Sequence, residues 1–377
     1  MKNVLIICGG KSAEHEVSLQ SARNIIAAMD KELFQPIIVV ISRSGCWYFL
    51  ADPIQLEGIT EYLDHDESKL CSLLQRPTQT VLLTTTGAQI NIDVAFPLVH
   101  GPMGEDGTLQ GLLEMVGLPY VGCGVLASAV GMDKDFLKRA FAYAGIPSAP
   151  FIALTKQNLI PEYAQVCEKL NSAIVFVKPA VMGSSVGIAK VTSEEQYYEA
   201  IKQAFRYGSK ILIEKFIPGR EVECSVLGNE RPIVSCVGEI KPTHDFYSYE
   251  AKYLDPNGAA LIIPAELPFA LSEKVRELAI QAFQSCDCKG FARVDFFIGT
   301  DDTVYVNELN TIPGFTSISM YPKLWEASGI NYDALITQLI ILAFEEFGSK
   351  QKIHLRPELT HTILETASQS KVAAIAK

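Results

Sequence analysis

No stretch of the sequence is apolar for long enough to span a membrane, although 48% of its 377 residues are hydrophobic. Near the start only Val4 to Cys8 forms an apolar run before Gly9-Gly10-Lys11, too short for the core of a secretory signal. Basic residues do not dominate either. The formal net charge is -11 and the sequence pI is about 5.1, which speaks against broad attraction to nucleic acid or an anionic membrane surface. Cysteine framework spacing is missing too. Nine cysteines stand singly apart from Cys286-Asp287-Cys288, a pattern expected of reduced thiols and hence of a soluble, cytoplasmic protein. Neither internal repeats nor low-complexity segments occur. Two nucleotide motifs fail on inspection. Gly9-Gly10-Lys11-Ser12 ends like a P-loop, but the earlier glycine which that motif needs falls at Leu5, and Gly122-Cys123-Gly124 is too little for a dinucleotide fingerprint, so no nicotinamide cofactor is inferred.

What is present is an alternation of strand and helix patterns. Val4 to Cys8, Ile37 to Ile41 and Val94 to Val99 read as buried strands and Ser21 to Met29 as a helix, which predicts a doubly wound βαβ half with ligands at the carboxyl ends of its strands. A helix is expected from Met132-Asp133-Lys134 to Tyr143. The strand pattern from Asn171 to Lys178 then runs into Pro179-Ala180-Val181-Met182-Gly183-Ser184-Ser185-Val186-Gly187, where small residues after a lysine suit either a phosphate-cradling loop or a plain surface turn. Further strands are expected at Ile211 to Phe216 and Glu223 to Leu227. The aromatic, charged stretch His244 to Tyr253 lacks a core period and suits a lid that excludes water. A long apolar helix, Tyr332 to Phe347, precedes the final stretch.

The densest chemistry lies between Gly290 and Met320. In an extended strand Arg293 and Asp295 share one face, opposite to Val294, Phe296 and Ile298, and Glu308 and Asn310 share a face of the run Val304 to Asn310. Folding about the Asp301-Asp302 bond sets Asp295 opposite Glu308 and Arg293 opposite Asn310. Two carboxylates and an amide held together suit a hard divalent cation such as magnesium, which keeps several waters and accepts substrate phosphates. A solvated sheet face is the alternative.

Taken in order, Gly9 to Ser18, His100-Gly101 with Gly104-Glu105-Asp106-Gly107, Met132-Asp133-Lys134, Lys178-Pro179, Gly183 to Gly187, Tyr249 to Tyr253, Arg293-Val294-Asp295 and Glu308 to Gly314 resemble the ATP-grasp superfamily, and within it the D-alanine--D-alanine ligase family. The resemblance covers about Met1 to Phe347. It implies a three-domain α/β ATP-grasp ligase, α+β in its ATP-binding part: a Rossmann-like domain at residues 1–131, a central subdomain at 132–214, a C-terminal subdomain at 215–348 and an extension of unassigned role at 349–377. It further implies ATP and D-alanine as substrates and two Mg2+ or Mn2+ ions on Asp295, Glu308 and Asn310. Lys134, Lys178 and Lys252 are then expected at phosphate oxygens with Ser184 and Ser185, Glu214, Lys215 and Ile217 at adenine, and Glu221 at the ribose. Glu14, otherwise a helix N-terminal glutamate, is implied to meet the first D-alanine's ammonium and to be joined by Ser184 and Tyr253. His100 borders that site, Arg293 and the Gly314 N–H face the oxyanion, and Ser319 with the Met320 backbone meets the second carboxylate. A homodimer is implied as well. A D-serine or D-lactate ligase, and a non-catalytic ATP-grasp regulator, are the alternatives.

Overall fold

A computed structural model of the chain describes residues 1–56, 66–242 and 259–352. The first sheet is built on β1 (Lys2–Gly9), which pairs in parallel with β2 (Phe34–Ile41) on one side and, across a long connection, with β7 (Val94–Pro97) on the other. Val4 to Gly9 are wholly buried, as expected of a central parallel strand covered on both faces. Helix α1 (His15–Ala28) crosses from β1 to β2, and β3 (Trp47–Leu50) closes the edge antiparallel to β2. The return to β7 departs from the doubly wound expectation. Among the described residues it consists of short 3-10 turns and a three-stranded antiparallel sheet of β4 (Cys71–Gln75), β5 (Thr80–Thr84) and β6 (Gln89–Ile92), whose polar alternation does not read as a helix crossover.

After β7 come α2 (Thr108–Met115), α3 (Val125–Met132) and α4 (Lys134–Tyr143). Asp133 breaks the helix between the last two and caps α4, its carboxylate accepting from the Asp135 and Phe136 N–H groups. A second sheet, ordered β10-β9-β11-β8, is antiparallel throughout: β8 (Phe151–Thr155), β9 (Val175–Pro179), β10 (Ala189–Val191) and β11 (Lys210–Lys215). Helices α5 (Tyr163–Leu170) and α6 (Glu194–Ala204) cover one face of it through Val166, Leu170, Tyr197 and Ile201.

The third sheet has the order β14-β13-β12-β15-β16, also antiparallel: β12 (Gly219–Leu227), β13 (Ile233–Pro242), β14 (Ala259–Ile262), β15 (Phe291–Gly299) and β16 (Val304–Asn310). Helix α7 (Phe269–Ser285) buries Val275, Ala279 and Phe283 in the core beneath it, together with Leu137 and Phe141 of α4. The last two helices, α8 (Met320–Ala327) and α9 (Tyr332–Lys350), turn back to the first sheet. Leu335, Ile336, Leu339 and Ile340 of α9 share one core with Val4 and Ile6, and Phe315 sits there against Phe96, Phe291 and Tyr321. Residues from both ends of the chain therefore brace the segment between β16 and α8.

Candidate active site

The hairpin β15–β16 pairs Arg293 with Asn310 and Asp295 with Glu308, as the alternation predicts. Beyond Asp295 the register shifts, so that Phe296 faces Val306 and Asn307 is the extra residue of a β-bulge. The polar pairs thus lie where a symmetric hairpin would put them, while the turn end is displaced by one residue. Arg293 makes a two-pronged pair with Asp295 (2.7 and 2.8 Å), and its Nε also lies 2.9 Å from Glu223 on the neighbouring β12. Asn310 donates to Asp295 at 3.0 Å. Burial alone would lower the Arg293 pKa, but Asp295 and Glu223 outweigh it and hold the guanidinium charged.

Between this sheet and the second one lies a cavity of about 550 Å3. Lys134 enters it from the first turn of α4, placed by its backbone N–H, which donates to Ala180 O at 2.9 Å. Its ammonium donates to Met182 O (2.9 Å) and stands 3.4 Å from Glu308. Lys178, at the end of β9, pairs at 2.8 Å with Glu214 of the adjacent β11. Burial raises the pKa of Glu214, but Lys138 and Lys178 overcome that and lower it below the usual carboxylate value. Ser184, Ser185, Lys215, Ile217 and Glu221 also line the cavity. Phe176 and Phe216 are among its apolar lining, their rings 5.8 Å apart.

At the edge of the first sheet, Ser18 of α1 donates to Leu98 O (2.6 Å) and accepts from the Gly9 N–H (2.8 Å), which ties the start of the helix to the ends of β1 and β7. Gly9 has φ +86°, and a Cβ there would stand 2.3 Å from Ile41 O, so only glycine fits this turn. Glu14 is thereby held at the helix N-terminus, where the Ser184 hydroxyl donates to its carboxylate. Ser184 and Ser185 both have left-handed backbones, φ +52° and +61°, a strained geometry for side-chain-bearing residues. His100 is buried nearby, with Nδ1 3.0 Å from Ile312 O and Nε2 without a hydrogen-bond partner among the described residues. Burial lowers its pKa despite the Glu14 carboxylate. Glu105 accepts from the Gly101 N–H, and burial together with the charge of Glu14 pushes its carboxyl up to about 8.

At the far end Gly314 packs so closely that a Cβ would lie 2.7 Å from Ser319 Oγ. Ser319 accepts from the Thr316 N–H at 3.0 Å and directly precedes α8, whose first residue is Met320. A helix N-terminus there, without a side-chain cap bond from Ser319, suits a carboxylate.

Two family models match the chain: "D-ala D-ala ligase N-terminus" over residues 3–123 and "D-ala D-ala ligase C-terminus" over residues 140–341. The chain belongs to the D-alanine--D-alanine ligase family. It is 47% identical to the D-alanine--D-alanine ligase A of Escherichia coli K12 over 358 residues, 91% of this chain and 96% of that one. With the D-alanine--D-alanine ligase of Oceanobacillus iheyensis it shares 46% identity over 367 residues, 93% of this chain and 98% of the relative. Its fold matches the D-alanine-D-alanine ligase of Coxiella burnetii with a TM-score of 0.81 at 37% identity, covering 93% of this chain and 98% of that one. The VanG D-Ala:D-Ser ligase of Enterococcus faecalis gives the same TM-score at 35% identity, covering 91% and 99%.

Within this ligase framework the residues expected from sequence fall into three groups. Arg293, Asp295, Glu308 and Asn310 form one cluster; Lys134, Lys178, Ser184, Ser185, Glu214, Lys215, Ile217 and Glu221 surround the cavity; Glu14 joins the latter through Ser184. Gly314, Ser319 and Met320 lie together at the start of α8, and His100 is linked to that segment through Ile312. Lys252 and Tyr253 lie outside the described residues. Among the described residues no group of three or more histidine, cysteine or acidic side chains is placed to hold a metal; the expected set is two carboxylates and an amide, with Asp295 paired to Arg293 and Glu308 3.4 Å from Lys134. Sequence reasoning assigned no role to Glu105, Glu223 or Lys138. Glu223 was accessible from strand alternation, since it shares a face with Glu221, whereas nothing in the spacing marks Lys138 as buried.

Proposed function

We propose that this ligase joins two D-alanines to D-alanyl-D-alanine through a D-alanyl phosphate, releasing ADP and phosphate, and so supplies peptidoglycan precursor synthesis. The observation that carries the reading is a cavity lined by Lys134, Lys178, Glu308 and the loop that bonds Glu14. A carboxylate is a poor electrophile, and phosphorylation by ATP gives it a leaving group. Positioning and charge neutralisation catalyse such transfer, and the cavity supplies two ammonium groups for phosphate oxygens beside a pocket of aromatic and apolar groups for the base. Glu214, Lys215 and Ile217 would meet adenine and Glu221 the ribose. Glu14 would take the ammonium of the first D-alanine, placing its carboxylate toward the cavity. Arg293 and the Gly314 N–H would stabilise the oxyanion formed when the second amine attacks, and the α8 N-terminus with Ser319 would hold the second carboxylate. Shielding of the acyl phosphate from water completes the requirement.

The donor set fits Mg2+ or Mn2+: two carboxylates paired on adjacent strands of one sheet, with an amide beside them. Asp295, Glu308 and Asn310 would hold the ions, which when bound neutralise phosphate charge; Arg293 retains Glu223 as a partner when Asp295 turns away. We also read the chain as three functional parts, 1–131, 132–214 and 215–348, working as a cytoplasmic homodimer. The free state of all nine cysteines supports a reducing compartment, and exposed Leu112, Met115 and Leu126 on the neighbouring helices α2 and α3 support self-association. The equal fold similarity to a D-Ala:D-Ser ligase favours D-serine as the second reading for the attacking amine. Phosphate release from ATP with magnesium and D-alanine, D-serine, or D-alanine plus D-lactate, followed by product mass, tests all of these. D-alanyl-D-alanine from D-alanine is the expected result, and no release from ATP-binding protein would overturn the reading.

A further inference from the structure

Lys134 and Lys138 stand one turn apart on the same face of α4, yet only the first reaches the cavity. Lys138 is among the largest wholly buried side chains of the protein. Its ammonium lies 3.3 Å from Glu214 Oε2, donates to Ala149 O at 3.3 Å, and sits 5.6 Å from the centre of the Phe151 ring. The same Glu214 oxygen is 2.8 Å from Lys178, which does line the cavity. One buried carboxylate is therefore shared by two ammonium groups, a single negative charge against two positive ones. A buried lysine with no ligand to touch is costly to keep charged, and burial pushes its pKa down to about 8.

We propose that Lys138 is a positioning residue: it keeps Glu214 neutralised so that Lys178 is free to leave that carboxylate for a phosphate of ATP. The inference rests on the ATP-dependent reading above. With one lysine only, moving Lys178 to a phosphate would strand a buried carboxylate without a counter-ion, a strongly unfavourable arrangement that would oppose nucleotide binding. With Lys138 behind it, the carboxylate exchanges one partner and keeps the other. Lys138 thus acts through Glu214 and Lys178 and touches no substrate.

The test uses the full-length enzyme after dipeptide synthesis by the wild type has been measured, so that failure of the parent reading is seen separately. Lys138→Met should raise the ATP KM tenfold or more, leave the D-alanine KM within twofold, and leave the inhibition constant of adenosine, which has no phosphate, within twofold. Lys138→Arg, which keeps the charge, should recover most of the ATP affinity. Adding Glu214→Gln to Lys138→Met should also lower the ATP KM relative to the single variant, since no carboxylate then competes for Lys178. Equal weakening of ATP and adenosine, or failure of both partner variants to recover ATP affinity, would overturn the proposal in favour of a packing role. An unchanged ATP KM in Lys138→Met would overturn it as well. If Lys138→Met does not fold, the comparison of ATP with adenosine in Lys138→Arg and in the double variant still decides it.

Discussion

The two walls of the active site are built differently. The wall formed by β12, β15 and β16 holds Glu223, Arg293, Asp295, Glu308 and Asn310 on paired strands, where each side chain's direction follows from its place in the ladder. The opposite wall holds Glu14 at a helix N-terminus and Ser184 in a loop with two left-handed residues, its hydroxyl donating to Glu14 across 170 positions of sequence. On the strand wall the charges satisfy one another before any ligand arrives. On the loop wall the geometry depends on distant tethers such as the contacts of Ser18 with Gly9 and Leu98. On the proposed roles this is a division of labour, with the metal carboxylates and the oxyanion arginine on the strand wall and capture of the first D-alanine, beside the phosphate loop, on the other.

Breaking the strand wall should cost most. Asp295→Asn or Glu308→Gln is expected to lower turnover by at least about 100-fold, the scale for losing an electrostatic group in a preorganised site, with an unchanged circular-dichroism spectrum. Near-normal turnover at saturating magnesium would remove both residues from the reaction. On the loop wall, Glu14→Gln should lower kcat/KM for D-alanine by about 10- to 100-fold, the worth of a charge-assisted hydrogen bond. Its ATP dissociation constant should stay as in the wild type, and a comparable loss in ATP binding would erase the proposed division. Ser184→Ala removes the hydroxyl that donates to Glu14 and leaves the carboxylate in place, so it should cost less, about 3- to 10-fold in the same parameter.

A separate test sharpens the comparison through pH and reads stability, not turnover. Glu105 keeps its proton in the folded protein up to about 8, because burial and Glu14 both disfavour its charge, while in the unfolded chain it releases the proton near 4.5. Below about 4.5 both states are protonated and the group is silent. Between about 4.5 and 8 the folded state binds the extra proton, so stability from this group falls as pH rises through that window. Melting curves of the wild type and Glu105→Gln across it should show the wild type losing ground steadily, and parallel curves would refute the assignment.

How much of this was legible in the sequence follows the same line between walls. The pairs Arg293–Asn310 and Asp295–Glu308 could be read from alternation, since the strand period of two leaves little choice once the turn residues are located. The bulge at Asn307 could not, because an extra residue on one strand changes no pattern in the other. The antiparallel sheet from Cys71 to Ile92 was likewise hidden by its short, polar strands. Glu14 and Ser184 were placed only by resemblance to a family, since no local spacing relates a helix end to a loop 170 residues away. Lys138 shows the same limit in another form. On a helix wheel it is one more charged residue; the closure of β8 and β11 over α4 is what buries it beside Glu214.

The sequence by itself determined the buried strands such as Val4 to Cys8, the shared faces of Arg293 with Asp295 and of Glu308 with Asn310, and the family, because each of these is written in local period or in an ordered set of motifs. Tertiary structure alone decided which charges share a counter-ion, that the last helix packs on the first sheet around Phe315, and that Glu14 meets Ser184. Those depend on distances between elements far apart in the chain, set by the packing of several cores at once, and no local pattern of residue types encodes them.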